Sequence, residues 1–376
     1  MAVTWLHISD FHIRTGDPYD RDVVFAALVQ SVERFRVDEE RAPDLIFATG
    51  DIAHSGQAEE YAIATKFFDQ ILQAAGVARH RLYVIPGNHD VDRKRGIGLA
   101  RTLSSGIEAD QYFAPGAIKH HKEKLKSFLE WYNTYFSGIR TAPADSTCGP
   151  VEIVEAGGHK LGILPINTAL FCQDDGDHEK LFIGRRCLDA AAKELDALTA
   201  DLNIALMHHP VDFLSYHERP QVRAKLVDHA QVLLTGHTHE AGIVNVDMWR
   251  GGNLCCSAGA TYQTRAWPNT AYYGTFQGDH VTIFPICYSD RPREAWIPDN
   301  SLYPHSPYIG SYDVRVGGIS RTFRLPGWDR GWTQRLDSEP QQEAAATTVP
   351  KVVDGARPGN RNTHKPKRRL GKKTED

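Results

Sequence analysis

The chain is predicted to be an α/β protein with two packed sheets. Three observations carry that prediction. Within residues 1–90, short apolar runs alternate with amphipathic segments in the order β-α-β-α-β. Beyond Glu240 helical periodicity stops and strand-length apolar runs follow one another, so a second sheet against the first is expected. The apolar runs also end in polar clusters, and α/β sheets bind ligands at the carboxyl ends of their strands. With 41% hydrophobic and 24% charged residues in 376, the chain can build a substantial core and is not globally disordered.

Residues 3–9, Val-Thr-Trp-Leu-His-Ile-Ser, are the first expected strand, which stops at Asp10-Phe11-His12. From 19 to about 35, Val23, Val24, Ala27, Leu28 and Phe35 recur at helical spacing. Residues 44–49 form a second buried strand ending at Gly50-Asp51. Tyr61, Ala64, Phe67, Phe68, Ile71 and Leu72 share one side of a helix over 59–75, and Gly76 is placed to stop it. Leu82 to Ile85 is the third strand, after which Pro86-Gly87 turns the chain into Asn88-His89-Asp90.

Residues 91–150 interrupt the alternation. Ile118, Leu125, Phe128, Leu129, Tyr132 and Phe136 predict one helix over 118–136. An insertion directly after a polar turn can act as a lid or substrate wall, or it can cover a sheet edge, and both readings stand. Strands are expected at 151–155 and 161–166, then a helix over 186–198. A strand at 203–207 ends at His208-His209-Pro210, and one at 231–234 ends at Thr235-Gly236-His237-Thr238-His239. Strands at 243–246, 253–257, 272–276 and 281–286 complete a domain spanning 1–290. Residues 291–336 are rich in Pro, Gly and aromatics with little periodicity, and are expected to pack as an irregular extension. Residues 337–376 lose apolar side chains and are expected to be a disordered basic tail.

Several classes are excluded. No apolar run approaches the roughly 18 residues a membrane span requires. The N-terminus shows neither the basic region nor the apolar stretch of a secretory signal. Cys148, Cys172, Cys187, Cys255, Cys256 and Cys287 show no Cys-x-x-Cys spacing, so a reducing, cytoplasmic setting without cysteine-ligated zinc is expected. The net charge of −4 is asymmetric: from Lys351 onward nine Lys/Arg face three Asp/Glu, a surplus of +6 that leaves −10 on residues 1–350.

The strand-end clusters, taken in order, are Asp10-x-His12, Gly50-Asp51, Gly87-Asn88-His89-Asp90, His208-His209-Pro210 and Gly236-His237-x-His239. Each alone is ordinary turn composition; five in order, all at expected strand ends, are not. They offer seven Asp, Asn and His ligands, a mixed N/O set suited to divalent manganese, iron or zinc. Seven exceed one tetrahedral site with an open position. They fit two metals sharing a carboxylate, about 3.5–4 Å apart, with a bridging hydroxide for in-line attack at phosphorus. Two divalent ions, two carboxylates and a hydroxide leave about +1, which suits an anionic phosphate ester. Gly50, Gly87 and Gly236 each precede a ligand and allow sharp turns and close approach.

This ordered set resembles the calcineurin-like metallophosphoesterase superfamily over about residues 3–290. The resemblance implies a four-layer α/β-β/α sandwich of two mixed sheets flanked by helices, with a dimetal site at the strand C-terminal ends. It further implies one metal on Asp10, His12, Asp51 and His239, and a second on Asp51, Asn88, His208 and His237, with Asp51 bridging. His89 would be the general acid for the leaving oxygen, and His209 would line the pocket. Asp90 and the run Gly50-Asp51-Ile52-Ala53-His54-Ser55-Gly56 disfavour the Ser/Thr protein phosphatase branch, which carries Gly-Asp-x-Val-Asp-Arg-Gly and Gly-Asn-His-Glu. No metal-ligand Tyr follows Asp51 as in purple acid phosphatases. The same run, with Glu59-Glu60-Tyr61, looks like the bacterial cyclic-nucleotide phosphodiesterase branch.

His54, Arg14 and Arg93 adjoin these motifs and either touch the substrate phosphate or are ordinary loop residues; both readings stand. His7 is expected to be a packed strand residue. The leading functional expectation is a dimetal phosphodiesterase acting on a nucleotide-type or small phosphodiester. A DNA or RNA nuclease of the same superfamily is the alternative, with the tail segment 365–373 able to hold nucleic acid electrostatically or to be a solvated terminus. No aromatic residue interleaves that segment. A non-catalytic scaffold of the same fold is the third reading.

Overall fold

The computed structural model describes residues 2–325, except 17, 39–41, 100–101, 175, 249–250, 302–310 and 314–317. The basic tail at 337–376 and much of the stretch from 303 to 332 lie outside the described residues.

β1 (Val3–Ile8), α1 (Tyr19–Val37), β2 (Leu45–Ala48), α2 (Ala58–Ala75) and β3 (Leu82–Val84) realise the expected alternation. β1 pairs with β2, and β2 with β3, in parallel. Alternate side chains face opposite ways. Val3, Trp5, Leu45, Phe47 and Tyr83 enter the core between the two sheets, while Leu6, Ile8, Ile46, Ala48, Leu82 and Val84 pack beneath helices. A strand buried on both faces reads as an unbroken apolar run, which made these three legible.

The insertion carries α3 (Gly106–Tyr112), α4 (Ala117–His121) and α5 (Lys126–Tyr135). The single helix expected over 118–136 is broken by a 3₁₀ turn at Lys122–Leu125. The cause is two buried ammonium groups. Lys122 donates to the carbonyls of Ala144 (3.2 Å) and Ser146 (2.8 Å), and Lys124 donates to the Cys172 carbonyl at 2.9 Å. Asp92 N–H also takes the Lys124 carbonyl at 2.8 Å, so that carbonyl is engaged outside the helix. Ala109, Phe113, Ile118 and Leu125 pack into the outer core of the second sheet. Phe128, Tyr132, Tyr135 and Phe136 pack into that of the first. The insertion is therefore a strap anchored in both halves.

β4 (Glu152–Ala156), β5 (His159–Pro165), α6 (Arg185–Ala197), β6 (Leu202–Leu206), α7 (Arg219–His229), β7 (Val232–Thr235), β8 (Gly242–Met248) and β9 (Gly251–Ser257) build the second sheet, in the order β4-β5-β6-β7-β9-β8. Leu161, Ile163, Ile204, Leu206, Val232 and Leu234 face the first sheet. Ala205, Met207 and Leu233 pack outward against Leu188 and Leu195 of α6 and Val222 and Leu226 of α7. Helix α7 was not expected, because only Val222, Leu226 and Val227 of its residues are buried apolar groups.

β10 (Thr270–Gln277), β11 (His280–Ser289), β12 (Ala295–Pro298), β13 (Ser311–Asp313) and β14 (Gly318–Arg324) return to the first sheet, ordered β13-β14-β11-β10-β1-β2-β3 with β12 beside β11. This corrects the expectation that the strands after Glu240 form the second sheet: only β8 and β9 join it. β10 pairs antiparallel with β1, Trp5 opposite Gly274. The stretch expected to be irregular also contributes strands. Trp296 of β12 is fully buried, its indole N–H donating to the Val24 carbonyl at 3.1 Å. Phe323 of β14 lies in the core between the sheets. Helices α1, α2 and α5 on one side and α6 and α7 on the other complete four layers.

Candidate metal centre

Five of the parallel strands, β1, β2, β3, β6 and β7, release a polar cluster at the carboxyl end. Asp10 and His12 follow β1, Asp51 follows β2, and Asn88 and His89 follow β3. His208 follows β6, and His237 and His239 follow β7. The turns are locked by backbone hydrogen bonds: Phe11 and His12 N–H donate to the Asp51 carbonyl at 2.8 and 3.0 Å, and Gly236 N–H donates to the His208 carbonyl at 2.9 Å. Among the described residues, seven non-glycine positions have positive φ, and five are Asp10, His12, Asp51, His237 and His239. Such backbone costs about 1–3 kcal/mol per residue and persists where the surroundings over-determine it, commonly at functional sites. Gly87 is required by contact: a Cβ there would lie 2.2 Å from Asp51 Oδ1.

The side chains converge in two sets. Ligand atoms of Asp10, His12, Asp51 and His239 lie within 4.8 Å of one another. His12 Nε2 is 3.1 Å from His239 Nε2, and His239 Nε2 is 3.3 Å from Asp10 Oδ1. In the second set, Asn88 Oδ1 lies 3.0 Å from both His208 Nε2 and His237 Nδ1, and His208 Nε2 is 3.4 Å from Asp51 Oδ1. Asp51 belongs to both. The two sets are those that the resemblance implied.

The donors fit divalent cations. Asp10 Oδ1, His12 Nδ1 and Asp51 Oδ2 are buried and lack hydrogen-bond partners. His208 Nδ1–H donates to the Thr49 carbonyl at 2.7 Å, so a neutral ring turns its Nε2 lone pair toward the oxygens of Asn88 and Asp51. That arrangement is repulsive unless a proton or a metal lies between. Burial alone would lower His208, but the Asp51 charge and hydrogen bond prevail and raise it to about 9. Burial likewise opposes the charge on Asp51, yet His208 holds that carboxyl well below its ordinary range. Binding of a metal would displace this proton. Burial drives His12 and His237 down to about 4, leaving both free to ligate.

His89 stands beside the ligands without joining them. Its N–H donates to Asp51 Oδ1 at 2.8 Å, and its Nδ1–H donates to the His54 carbonyl at 2.8 Å, which leaves Nε2 available. Asp90 staples the turns after β2 and β3, accepting from Ile52, Ala53 and Gly87 N–H and from Tyr61 OH. Burial and the Asp51 charge push its carboxyl up to about 6. His54 is half-buried with its ring stacked on His89, and Arg14 and Arg93 are exposed. His209, expected to line the pocket, is 1% exposed, and one of its ring nitrogens lies within 4.8 Å of ring nitrogens of His208 and His237. Its Nδ1 meets Thr168 Oγ1 at 2.7 Å, and its Nε2 is 3.7 Å from Cys172 Sγ. His7 is a packed strand residue, bonded to Thr49 Oγ1 and Tyr272 OH.

Sequence reasoning missed the residues that orient the ligands. Gln263 Oε1 accepts from His239 Nδ1–H at 3.0 Å, the Thr49 carbonyl sets the His208 tautomer, and the Phe213 ring lies 4.4 Å from that of His237. Gln263 sits between β9 and β10, where nothing local marks it.

Residues 3–241 match the calcineurin-like phosphoesterase family. The chain belongs to that family. Its members typically bind two divalent metals. The chain is 25% identical over 253 residues, 64% of its length and 50% of the other's, to the uncharacterized metallophosphoesterase-like protein YydB of Bacillus subtilis (strain 168). It is 37% identical over 86 residues, 22% of its length and 28% of the other's, to the glycerophosphodiester phosphodiesterase GpdQ of Enterobacter lignolyticus (strain SCF1). The chain thus matches half or less of the length of these relatives. The structure of PhoD aligns over 86% of this chain and 70% of that one, at 11% identity and a TM-score of 0.51, a likeness of fold. No helix among the described residues is long and apolar enough to cross a membrane.

Proposed function

We propose that the chain is a dimetal-dependent phosphodiesterase acting on a small or nucleotide-type phosphodiester, with manganese, iron or zinc as its metals. The observation that carries this reading is the meeting of two ligand sets at Asp51 with His89 Nε2 free beside them. Asp10, His12, Asp51 and His239 would hold one divalent ion and Asp51, Asn88, His208 and His237 a second, which would supply Lewis acidity toward the phosphoryl group and acidify water. Asp51 ties the two positions together, and the neutral Asn88 and imidazole ligands keep the centre net positive toward an anionic ester. His89, held through Nδ1–H by the His54 carbonyl, is oriented as a doubly protonated imidazolium to give the proton on Nε2 to the leaving alkoxide. The 86-residue likeness to a glycerophosphodiester phosphodiesterase supports a diester over a monoester.

The test is a manganese-supplemented panel of bis-nitrophenyl phosphate, nitrophenyl phosphate, cyclic nucleotides and DNA. Faster turnover of the diester than of the monoester is expected, and the reverse order removes the diester assignment. Cleavage of single-stranded DNA that is lost on deleting 337–376 would favour the nuclease reading.

A further inference from the structure

The metal ligands and His89 do not exhaust the imidazoles of this centre. The His54 ring stacks on that of His89, centroids 5.1 Å apart and planes 25° apart. One ring nitrogen from each of His12, His54 and His89 lies within 4.8 Å of the others. His54 Nδ1 is closed to solvent and has no hydrogen-bond partner. A polar atom left in that state is destabilising unless a ligand satisfies it. Arg14 is brought alongside by a parallel bridge between Ile13 and Ala53, with His54 N–H donating to the Ile13 carbonyl at 3.0 Å. Arg14 is exposed, and its guanidinium has no hydrogen bond or ion pair among the described residues.

Two nearby carboxylates are held by hydrogen bonds of their own. Glu60 accepts from Ser55 N–H, Ser55 OH and Gln57 N–H at 3.0, 2.8 and 3.0 Å. Asp90 is committed to Tyr61 and three backbone N–H groups.

We propose that Arg14 and His54 form an anion subsite beside His89, and that the phosphodiester taken by this chain carries a second anionic group, a phosphate or carboxylate, near the scissile phosphorus. This rests on the phosphodiesterase reading above and narrows its substrate class. An exposed arginine fork paired with an imidazole donor suits a phosphate or carboxylate.

The test is titration calorimetry on the manganese-loaded full chain, comparing thymidine 3′,5′-bisphosphate with thymidine 5′-phosphate. The wild type is expected to bind the bisphosphate about tenfold more tightly, and Arg14→Gln and His54→Gln are each expected to bring that ratio close to one. Because Arg14 is exposed, its substitution keeps the test valid if His54→Gln disturbs the turn. Equal affinities in the wild type, or a preference that survives both substitutions, would overturn the proposal. An intact preference without ester hydrolysis in the panel would reject the catalytic reading and keep the subsite. Hydrolysis without any preference would do the opposite.

Discussion

The two sheets contribute unequal chemistry to one centre. The strand ends of the first sheet supply both carboxylates, the amide of Asn88 and the unligated His89, whereas those of the second supply only the imidazoles of His208, His237 and His239. They are also secured differently. The turns of the first sheet are stapled to one another by Asp90, which accepts backbone N–H groups from the turns after both β2 and β3. Two imidazoles of the second sheet, His208 and His239, are aimed by acceptors outside it, the Thr49 carbonyl and Gln263 Oε1. The first sheet holds the charge and its own geometry. The second adds its imidazoles to the cluster only once the sandwich has closed.

The largest effect that would sharpen this comparison is at His89. His89→Ala is expected to lower kcat by about 10²–10⁴-fold while metal content and thermal unfolding stay level. If metal is lost along with turnover, His89 belongs to the coordination and its separate role is wrong. Next is metal stoichiometry, read by elemental analysis after manganese loading. His239→Ala and His208→Ala should each reduce about two metals per chain to about one, and Asp51→Asn should weaken both. Unchanged stoichiometry in either histidine variant would break the two-set assignment.

A smaller effect isolates the second half of the molecule. Burial pushes Glu218, beside α6 and α7, from 4.5 up to about 7, against the N–H groups of Ile183 and Gly184. A folded-state value above the unfolded one gives a contribution that is complete below pH 4.5 and lost as pH rises through 7. Urea unfolding of the wild type should therefore weaken by up to about 3 kcal/mol between pH 4.5 and pH 9 from this group. Glu218→Gln should remove that slope, and an identical slope in the variant would reject the assignment. The smallest effect probes the interface that joins the halves. A Cβ at Gly274 would lie 2.3 Å from the Trp5 ring. Gly274→Ala should cost about 1–3 kcal/mol by overpacking, read as a lowered thermal midpoint.

The elements that sequence reading located share one property: their burial is large and periodic. β1, β2 and β3 are apolar on both faces, and α2 carries a continuous stripe from Tyr61 to Leu72. The elements it missed bury little, as in α7, or only one or two large side chains, as in β12 and β14. The broken helix at Lys122–Leu125 was hidden for another reason. An apolar stripe says nothing of two lysines whose carbonyl partners lie 20 or more residues away.

By itself the sequence determined the chemistry of the centre. Asp10, His12, Asp51, Asn88, His89, His208, His237 and His239 each sit in a short motif at a strand end, and a strand end is a local property of the chain. Tertiary structure decided what no local pattern encodes. It returned β10 and β11 to the first sheet, buried His209 beside His208 and His237, aimed His239 through Gln263 and laid His54 against His89. Those outcomes depend on contacts between residues far apart in the chain, which form only when two separately patterned sheets share one buried face.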